Sequence, residues 1–126
     1  MQINIQTNKR NEIIDITDKV QKSIKDNGNA VIISNPHTTC GIMVNEGYDP
    51  DVANDIIAKL NNLIPKSESY YRHAEGNSDS HLKTAIIGNS VTLPMDDNHI
   101  RLGRWQRIFL CEFDGPRLRK VDIDIL

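Results

Sequence analysis

Apolar and polar residues alternate in short segments near both ends of the chain. "QINIQ", "IIDIT" and "VDIDIL" show the period of two residues that is typical of half-buried strands. "AVIISN" is an apolar run rich in β-branched residues, which predicts a strand buried on both faces. "SVTLPM" and "RIFLCEF" predict two more strands, and "DDNH" and "DGPR" predict turns.

The clearest helical period lies in "PDVANDIIAKLNNLIP". Asp49 stands where an N-cap belongs, and Pro50 follows at the first helical position, where its missing N–H costs nothing. Pro65 ends the predicted helix. Four apolar side chains step by four and three residues and predict one buried stripe: Val52, Ile56, Leu60 and Leu63.

A shorter helix is predicted after the second strand. Thr17 can cap it, Val20 and Ile24 would face inward, and Gly28 would stop it.

Another short helix is predicted to begin near Ser78 and to carry Leu82, Ala85 and Ile86 inward. At least five strands and two or three helices, without strict alternation of strand and helix, indicate the α+β class.

Composition narrows the class of protein. A chain of 126 residues fits one domain, 1–126. Its 15 basic and 17 acidic residues give a net charge of −2, and aromatic residues are scarce, so neither a nucleic acid nor an anionic membrane is an expected partner. No segment approaches the roughly 20 apolar residues of a membrane span, and "MQINIQTNKR" is not a signal peptide, so we expect a soluble cytoplasmic protein.

The stretch "YYRHAEGNSDSHLK", residues 70–83, is the strongest candidate for chemistry. Asn77 and Ser78 precede or open the predicted helix, whose first-turn N–H groups can bind an anion. The alternative is that one of these side chains only caps the helix.

Two histidines in this stretch suggest a metal site. His73 and Glu75 are two residues apart, so an extended backbone points both to one face, and His81 lies at the edge of the predicted buried stripe. Histidine is the commonest ligand of transition metals, although a polar loop with two solvated histidines fits the same pattern.

"SNPHTTC" follows a predicted buried strand. It would place His37 at the end of that strand, with the hydroxyls of Thr38 and Thr39 beside it, or form a turn whose threonines bond to the backbone. Cys40 could be a nucleophile with His37 as its base, but a small thiol entering a strand is more often a packing residue. Cys40 and Cys111 are expected to be free thiols.

Glu46 and Glu112 lie at or near the ends of apolar strands. A buried carboxylate needs a partner, so each predicts a basic or metal neighbour or a purely structural salt bridge; Arg117 and the pair Arg101 and Arg104 are available. Trp105 and Gln106 are predicted to be a core residue and a satisfied amide.

Five motifs considered together resemble the YjbQ family, a set of small proteins that carry the label secondary thiamine-phosphate synthase. They are "NPHTTC", "NEGYDPDV", "HAEGNSDSHLK", "LGRWQ" and "CEFDGPR", in this order and spacing, and they run from about residue 30 to the end of the chain.

The resemblance implies a β-sandwich-like, mostly antiparallel α+β fold and a homotrimer with sites near subunit boundaries. It implies that three histidines bind metal: His37, His73 and His81. The other residues of its polar cluster correspond to Asn45, Glu46, Glu75, Asn77, Gln106, Glu112 and Arg117.

The implied reaction joins hydroxymethylpyrimidine diphosphate to thiazole phosphate and releases pyrophosphate. Mg²⁺ would suit the diphosphate, whereas three histidines would suit Zn²⁺. Two alternatives stay open: a zinc-dependent hydrolase with Glu75 or Glu46 as base, and a non-catalytic protein that binds a small anionic metabolite.

Overall fold

Eight strands and three helices follow one another in a computed structural model that describes all residues, 1–126. In chain order they are β1 (Gln2–Gln6), β2 (Glu12–Asp15), α1 (Thr17–Ser23), β3 (Ala30–Ser34), β4 (Cys40–Glu46), α2 (Pro50–Leu63), α3 (Ser78–Ile87), β5 (Ser90–Asp96), β6 (His99–Ile100), β7 (Gln106–Glu112) and β8 (Leu118–Ile125). Each predicted strand and helix is present, and the α+β class is confirmed.

The strands form two antiparallel sheets. One has five strands in the order β1-β8-β3-β5-β6, and the other has three in the order β2-β7-β4. The main core lies between the sheets, where Val31 and Val121 of the larger sheet meet Ile42, Ile108 and Leu110 of the smaller one. This arrangement is a β-sandwich, because the inward side chains of both sheets share one core.

A second apolar cluster lies on the outer face of the three-stranded sheet. Phe109 and Cys111 of β7 pack there with Phe113 and with Leu60 of α2, and Ile87 of α3 packs against them. β7 is therefore buried on both faces, which explains its continuous apolar run. The helices α2 and α3 form a third layer over this sheet.

Helix α2 follows its prediction at the N-terminus and departs from it at the C-terminus. The Asp49 carboxylate accepts from the Asp51 N–H at 2.9 Å, so the predicted cap is confirmed. Leu60 is buried, but Leu63 is 61% exposed and does not belong to the buried stripe. No helix in the structure combines the length and the apolar character needed to cross a bilayer.

Helix α1 buries Val20 and Ile24, as predicted, but the predicted cap by Thr17 is wrong. Thr17 is already helical, and its hydroxyl accepts from the Ile108 N–H of β7 at 2.8 Å. The Asp15 carboxylate accepts from the Thr17 N–H instead, at 3.0 Å. The helix ends at Ser23 rather than at Gly28.

Helix α3 begins at Ser78 as predicted, but its predicted inward face is wrong. Leu82 is 44% exposed and Ile86 is 66% exposed, and Ala85 is exposed as well. The residues it buries are polar or charged: Asp79, Ser80, Lys83 and Thr84.

Arg10 and Asn61, from elsewhere in the chain, pair with the buried charged side chains of α3 and stabilise this inverted orientation. Arg10 donates two hydrogen bonds to the Asp79 carboxylate, each 3.0 Å long. The Lys83 ammonium donates to Asn61 Oδ1 at 2.6 Å and to Asp79 Oδ2 at 3.4 Å. Buried charges are tolerated when they are paired and hydrogen-bonded, so the polar side of α3 can face the sheet.

Candidate functional site

A groove opens at the N-terminal end of α3, between the helix and the loop before it. We call it the main groove; it holds about 480 Å³ and is lined by Tyr70, Tyr71, Arg72, His73, Ser78, His81 and Leu82. Gly76 lies in the left-handed region at φ 72°, a conformation that glycine adopts without strain, and the chain turns there into α3. The turn places the loop alongside the first two turns of the helix.

A smaller polar pocket adjoins the main groove. It holds about 200 Å³ and is lined by Lys66, Ser67, Glu68, Tyr71, His73, Gly76 and Ser78. Tyr71, His73 and Ser78 line both spaces, so the two are direct neighbours. The main groove is the more aromatic one, and the polar pocket adds an ammonium group, a carboxylate and the Ser67 hydroxyl.

His73 and His81 are brought together, as the sequence predicted. Their ring centroids are 5.2 Å apart with an interplanar angle of 84°, an edge-to-face contact. Glu75 stays near His73, with 3.8 Å between Oε2 and Nε2, but its side chain is 74% exposed. Two imidazoles therefore share the groove, and the carboxylate lies in solvent at its rim.

The first turn of α3 has no side-chain cap. Asn77 occupies the cap position, but its side chain bonds elsewhere: Nδ2 donates to Asp114 Oδ2 at 2.8 Å. The Asn77 Oδ1 atom is buried and has no partner within the chain. A buried acceptor of this kind requires a donor from water or a ligand. Ser78 is the first residue of α3, so its N–H has no partner within the helix and can bind an anion.

Asp114 links two residues of the predicted cluster. It accepts from Asn77 and also from the half-exposed Arg117 guanidinium, whose NH2 lies 3.0 Å from Asp114 Oδ2. Asp114 follows the β7 strand closely, and sequence reasoning missed it.

His37 lies in a second groove on the other side of His81. This His37 groove holds about 360 Å³ and is lined by His37, Thr38, His81, Thr84, Ala85, Gly88 and Asn89. The Lys120 N–H donates to His37 Nε2 at 2.9 Å. The pairing of β3 with β8 ends at Ser34, which lies opposite Asp122. Lys120 lies beyond this end of the pairing, and the His37 imidazole accepts its N–H hydrogen bond in place of a β3 residue.

Burial lowers the pKa of His37 below its usual 6.5, and the positive charges of Arg119, Arg117 and Lys120 lower it further against the opposing effect of Glu112. Between 6.5 and this lower pKa, the unfolded chain binds a proton that the folded chain does not. The free energy of unfolding should therefore decrease as the pH falls below about 7, and His37→Gln should lose that part of the pH dependence. Denaturant unfolding at pH 7.5 and 5.5 measures it, with the exposed His99→Gln as control. Equal pH dependence in wild type and His37→Gln would contradict the assignment.

The three predicted metal ligands do not form one site within this chain. His37 Nε2 is occupied by the Lys120 N–H, and no group of three or more histidine, cysteine, aspartate or glutamate side chains is placed to hold a metal ion. His73 and His81 offer two ligands, fewer than a zinc site requires. The three histidines therefore do not fit a zinc site within one chain.

Glu112 is buried in an ion pair rather than placed in a groove. Arg119 donates to both of its carboxylate oxygens, and both side chains are almost fully buried. The sequence offered Arg117 and the pair Arg101 and Arg104 as partners, but the structure uses none of them for Glu112, and Arg117 pairs with Asp114. Thr39 is also buried, and its hydroxyl and its carbonyl both accept from Arg119, whereas Thr38 is exposed. This geometry gives Glu112 and Thr39 structural roles.

Cys40 and Cys111 are free and buried, as predicted. Burial raises the pKa of each thiol to about 12, so neither is a thiolate at neutral pH. The nucleophile interpretation of Cys40 therefore has no support in the structure.

Three predicted residues lie at the opposite end of the three-stranded sheet, which we call the far end: Asn45, Glu46 and Gln106. Glu46 pairs with Gln106, whereas the other end of β4 pairs Cys40 with Glu112. Six residue steps at about 3.3 Å each separate these ends by roughly 20 Å. One chain therefore does not bring the far end to the histidines.

The far-end polar side chains bond to nearby backbone N–H groups. Glu46 Oε2 accepts from the Asp49 N–H at 3.2 Å, and Gln106 Oε1 accepts from the Gly103 N–H at 2.7 Å. The amide of Gln106 is thus satisfied as predicted, but Trp105 is 51% exposed and is not a core residue. Its ring lies edge-to-face with Tyr48, with centroids 5.2 Å apart.

Comparison with known proteins gives a consistent result over the whole chain. The family model described as UPF0047 protein YjbQ-like matches residues 1–126. UPF0047 protein MJ1081 of Methanocaldococcus jannaschii is 47% identical, over 97% of this chain and 90% of the relative. UPF0047 protein YugU of Bacillus subtilis is 39% identical, over 98% of this chain and 96% of the relative.

Solved structures share the fold. The conserved hypothetical protein TT1486 of Thermus thermophilus superposes with a TM-score of 0.95 at 40% identity, covering 100% of this chain and 99% of that one. The YugU orthologue of Clostridium acetobutylicum gives a TM-score of 0.93 at 38% identity, with coverage of 100% and 99%.

Proposed function

The chain belongs to the YjbQ family of UPF0047 proteins, and from that premise we propose that it is a thiamine-phosphate synthase-like transferase. It would join hydroxymethylpyrimidine diphosphate to thiazole phosphate and release pyrophosphate. The observation that carries the proposal is the pair of neighbouring spaces at α3, where the aromatic main groove adjoins the polar pocket that holds Lys66.

The main groove suits a small heteroaromatic ring. Tyr70, Tyr71 and Leu82 provide flat or apolar walls, and its volume of about 480 Å³ is in the usual range for small-molecule sites. His73 and His81 stand beside this space and can hydrogen-bond to ring nitrogens or to the leaving oxygen.

The polar pocket suits the diphosphate. The Lys66 ammonium and the hydroxyls of Ser67 and Ser78 line it beside one carboxylate, Glu68, and the Ser78 N–H lies at the positive end of the α3 dipole. A divalent cation carried by the diphosphate would offset the charge of Glu68. Its volume of about 200 Å³ leaves room for phosphate groups rather than for a second ring.

The reaction needs no protein nucleophile. The bond between the pyrimidine methylene carbon and the diphosphate oxygen breaks, and its electron pair leaves with the oxygen. The lone pair of the thiazole nitrogen then forms the new carbon–nitrogen bond. Negative charge develops on the leaving diphosphate, so prearranged donors and cations there lower the barrier.

The proposal includes a divalent cation for which the protein supplies few of the ligands. Mg²⁺ would be carried by the diphosphate. Zn²⁺ would find two ligands in His73 and His81 and would need further ligands from substrate or from another subunit.

We also propose the homotrimer and a cytoplasmic location. A cyclic trimer joins two different surfaces of the chain, so it can bring the far end of one subunit to the α3 side of the next. The exposed Leu82 and Ile86 on α3, and the exposed Tyr48 and Trp105 at the far end, supply apolar surface for such a contact. Two buried free thiols suit a reducing compartment.

His81→Ala should lower synthase turnover about 100-fold or more, because a positioned proton donor or acceptor typically contributes that much. The assay measures pyrophosphate release and thiamine phosphate formation from the two substrates with added Mg²⁺. His99→Ala is the matched control, since His99 is an exposed histidine on β6 outside both grooves, and it should leave turnover unchanged.

Absence of turnover in the wild type would overturn the synthase proposal. If hydroxymethylpyrimidine diphosphate then still raised the Tm of the wild type, and not of His81→Ala, the protein would instead be a binding protein for an anionic metabolite. Hydrolysis of a small phosphorylated substrate that Zn²⁺, and not Mg²⁺, restores after chelation, and that His73→Ala and His81→Ala abolish together with the bound zinc, would favour the zinc-dependent hydrolase.

A further inference from the structure

His81 lines two grooves that differ in chemistry, the main groove and the His37 groove. One side chain is thus within reach of ligands in both spaces. A site that joins two substrates needs this arrangement, because the reacting atoms must approach to about 3–3.5 Å.

The His37 groove is lined by neutral hydrogen-bonding groups and contains no carboxylate. Thr38 and Asn89 line it and can donate a hydroxyl and an amide hydrogen. His37 is held in one tautomer: because Nε2 accepts from the Lys120 N–H, the neutral ring carries its proton on Nδ1 and can act only as a donor there.

The charged groups nearest to His37 belong to the neighbouring strand β8 and the turn before it. The Arg119 charge is compensated by Glu112 and the Arg117 charge by Asp114, whereas Lys120, next to the His37 contact, has no salt-bridge partner. Burial is the main cause of the lowered pKa of His37, and nearby positive charges add to it. Three hydrogen-bond donors without a competing carboxylate favour an anion with several acceptor oxygens.

We propose that the His37 groove binds the second substrate, a phosphate monoester whose heterocyclic nitrogen attacks across His81. This proposal rests on the proposed function and adds to it the place of the acceptor substrate. The diphosphate substrate occupies the main groove and the polar pocket, and the new carbon–nitrogen bond forms beside His81. The diphosphate leaves toward Lys66, and the monoester keeps its phosphate.

Substitutions in the His37 groove should separate the two substrates kinetically. Thr38→Val and Asn89→Leu should each raise the KM for thiazole phosphate roughly tenfold, the usual effect of removing a hydrogen bond to a charged group, and leave the KM for hydroxymethylpyrimidine diphosphate unchanged. Lys66→Met should raise the KM for hydroxymethylpyrimidine diphosphate and leave the KM for thiazole phosphate unchanged. Thr92→Val, on β5 outside the grooves, is the matched control and should change neither constant.

Direct binding keeps this inference separate from the synthase proposal. Calorimetry with thiazole phosphate alone should give a Kd that rises roughly tenfold in Thr38→Val and Asn89→Leu and stays constant in Lys66→Met. That result in a protein without turnover would support the subsite and overturn the synthase. If the Kd for thiazole phosphate were the same in Thr38→Val, Asn89→Leu and the wild type, or if thiazole phosphate did not bind at all, the subsite would be overturned. This holds whether or not the protein turns over its substrates.

Discussion

Arg119→Met is expected to lower the free energy of unfolding by about 3–5 kcal/mol, because it leaves a buried carboxylate without its cation. Glu112 is fully buried and Arg119 is 1% exposed, so water cannot replace the lost charge. Arg119 also donates to the Thr39 hydroxyl at 2.8 Å, and that acceptor would lose its donor. Denaturant unfolding followed by circular dichroism measures the change.

Arg117→Met provides the matched control two residues away. Its ion pair with Asp114 is half exposed, so its loss should cost about 0–1 kcal/mol. The double variant Arg119→Met/Glu112→Leu should regain most of the lost stability, because it removes the uncompensated charge and fills the space. If Arg119→Met proved no more harmful than Arg117→Met, the ion pair would not be what keeps Glu112 buried.

The sequence pattern predicts one partner of this ion pair, the buried arginine, but not the other. Period-two alternation along β8 places Arg119 on the same inward face as Val121 and Ile123, so a buried arginine was detectable. Its partner was not, because β7 and β8 belong to different sheets and meet only across the sandwich. The arginines considered from sequence were Arg101, Arg104 and Arg117, whereas the folded chain pairs Glu112 with Arg119.

Helix α3 shows where periodicity misleads. The spacing of Leu82 and Ile86 predicts an inward apolar stripe, which is normally correct for a helix on a sheet. Here Arg10 and Asn61 supply partners for Asp79 and Lys83 from distant parts of the chain, so the charged face is the buried one. Nothing within the helix sequence signals those partners.

The candidate site was predicted best where its parts are local in sequence. The helix start at Ser78 and the approach of His73 and His81 follow from one continuous stretch of chain. The aromatic wall at Tyr70 belongs to the same stretch and was overlooked, although its position beside the histidines was a usable signal. The position of Glu46 could not be predicted, since motif order does not say at which end of a strand a residue lies.

The reversed orientation of α3 connects stability to the site. Because the charged face holds the helix to the rest of the chain, the opposite face, with Leu82 and Ile86, stays open beside the groove. Ser78 and His81, on the same helix, depend on that anchoring for their positions. Asp79 is the centre of the anchor, since it bonds to both Arg10 and Lys83.

Asp79→Ala should therefore lower the free energy of unfolding by about 3–5 kcal/mol, because it leaves the buried Lys83 ammonium and the Arg10 guanidinium without their carboxylate. Burial alone would raise the pKa of Asp79, but hydrogen bonds from Arg10 and the charges of Arg10 and Lys83 outweigh it and lower the pKa below 3.8. The contribution of Asp79 is thus complete above about pH 4 and is lost as the pH falls through this lowered pKa.

Unfolding measured from pH 7 down to pH 2 tests both parts of this expectation. Asp79→Asn should lack the acid-dependent part that the wild type loses. Asp18→Ala is the control, because its ion pair with Arg107 is exposed and should be worth about 0–1 kcal/mol. Equal losses in Asp79→Ala and Asp18→Ala would mean that α3 is held by its contacts with the sheet, and the charged anchor would then not be what positions Ser78 and His81.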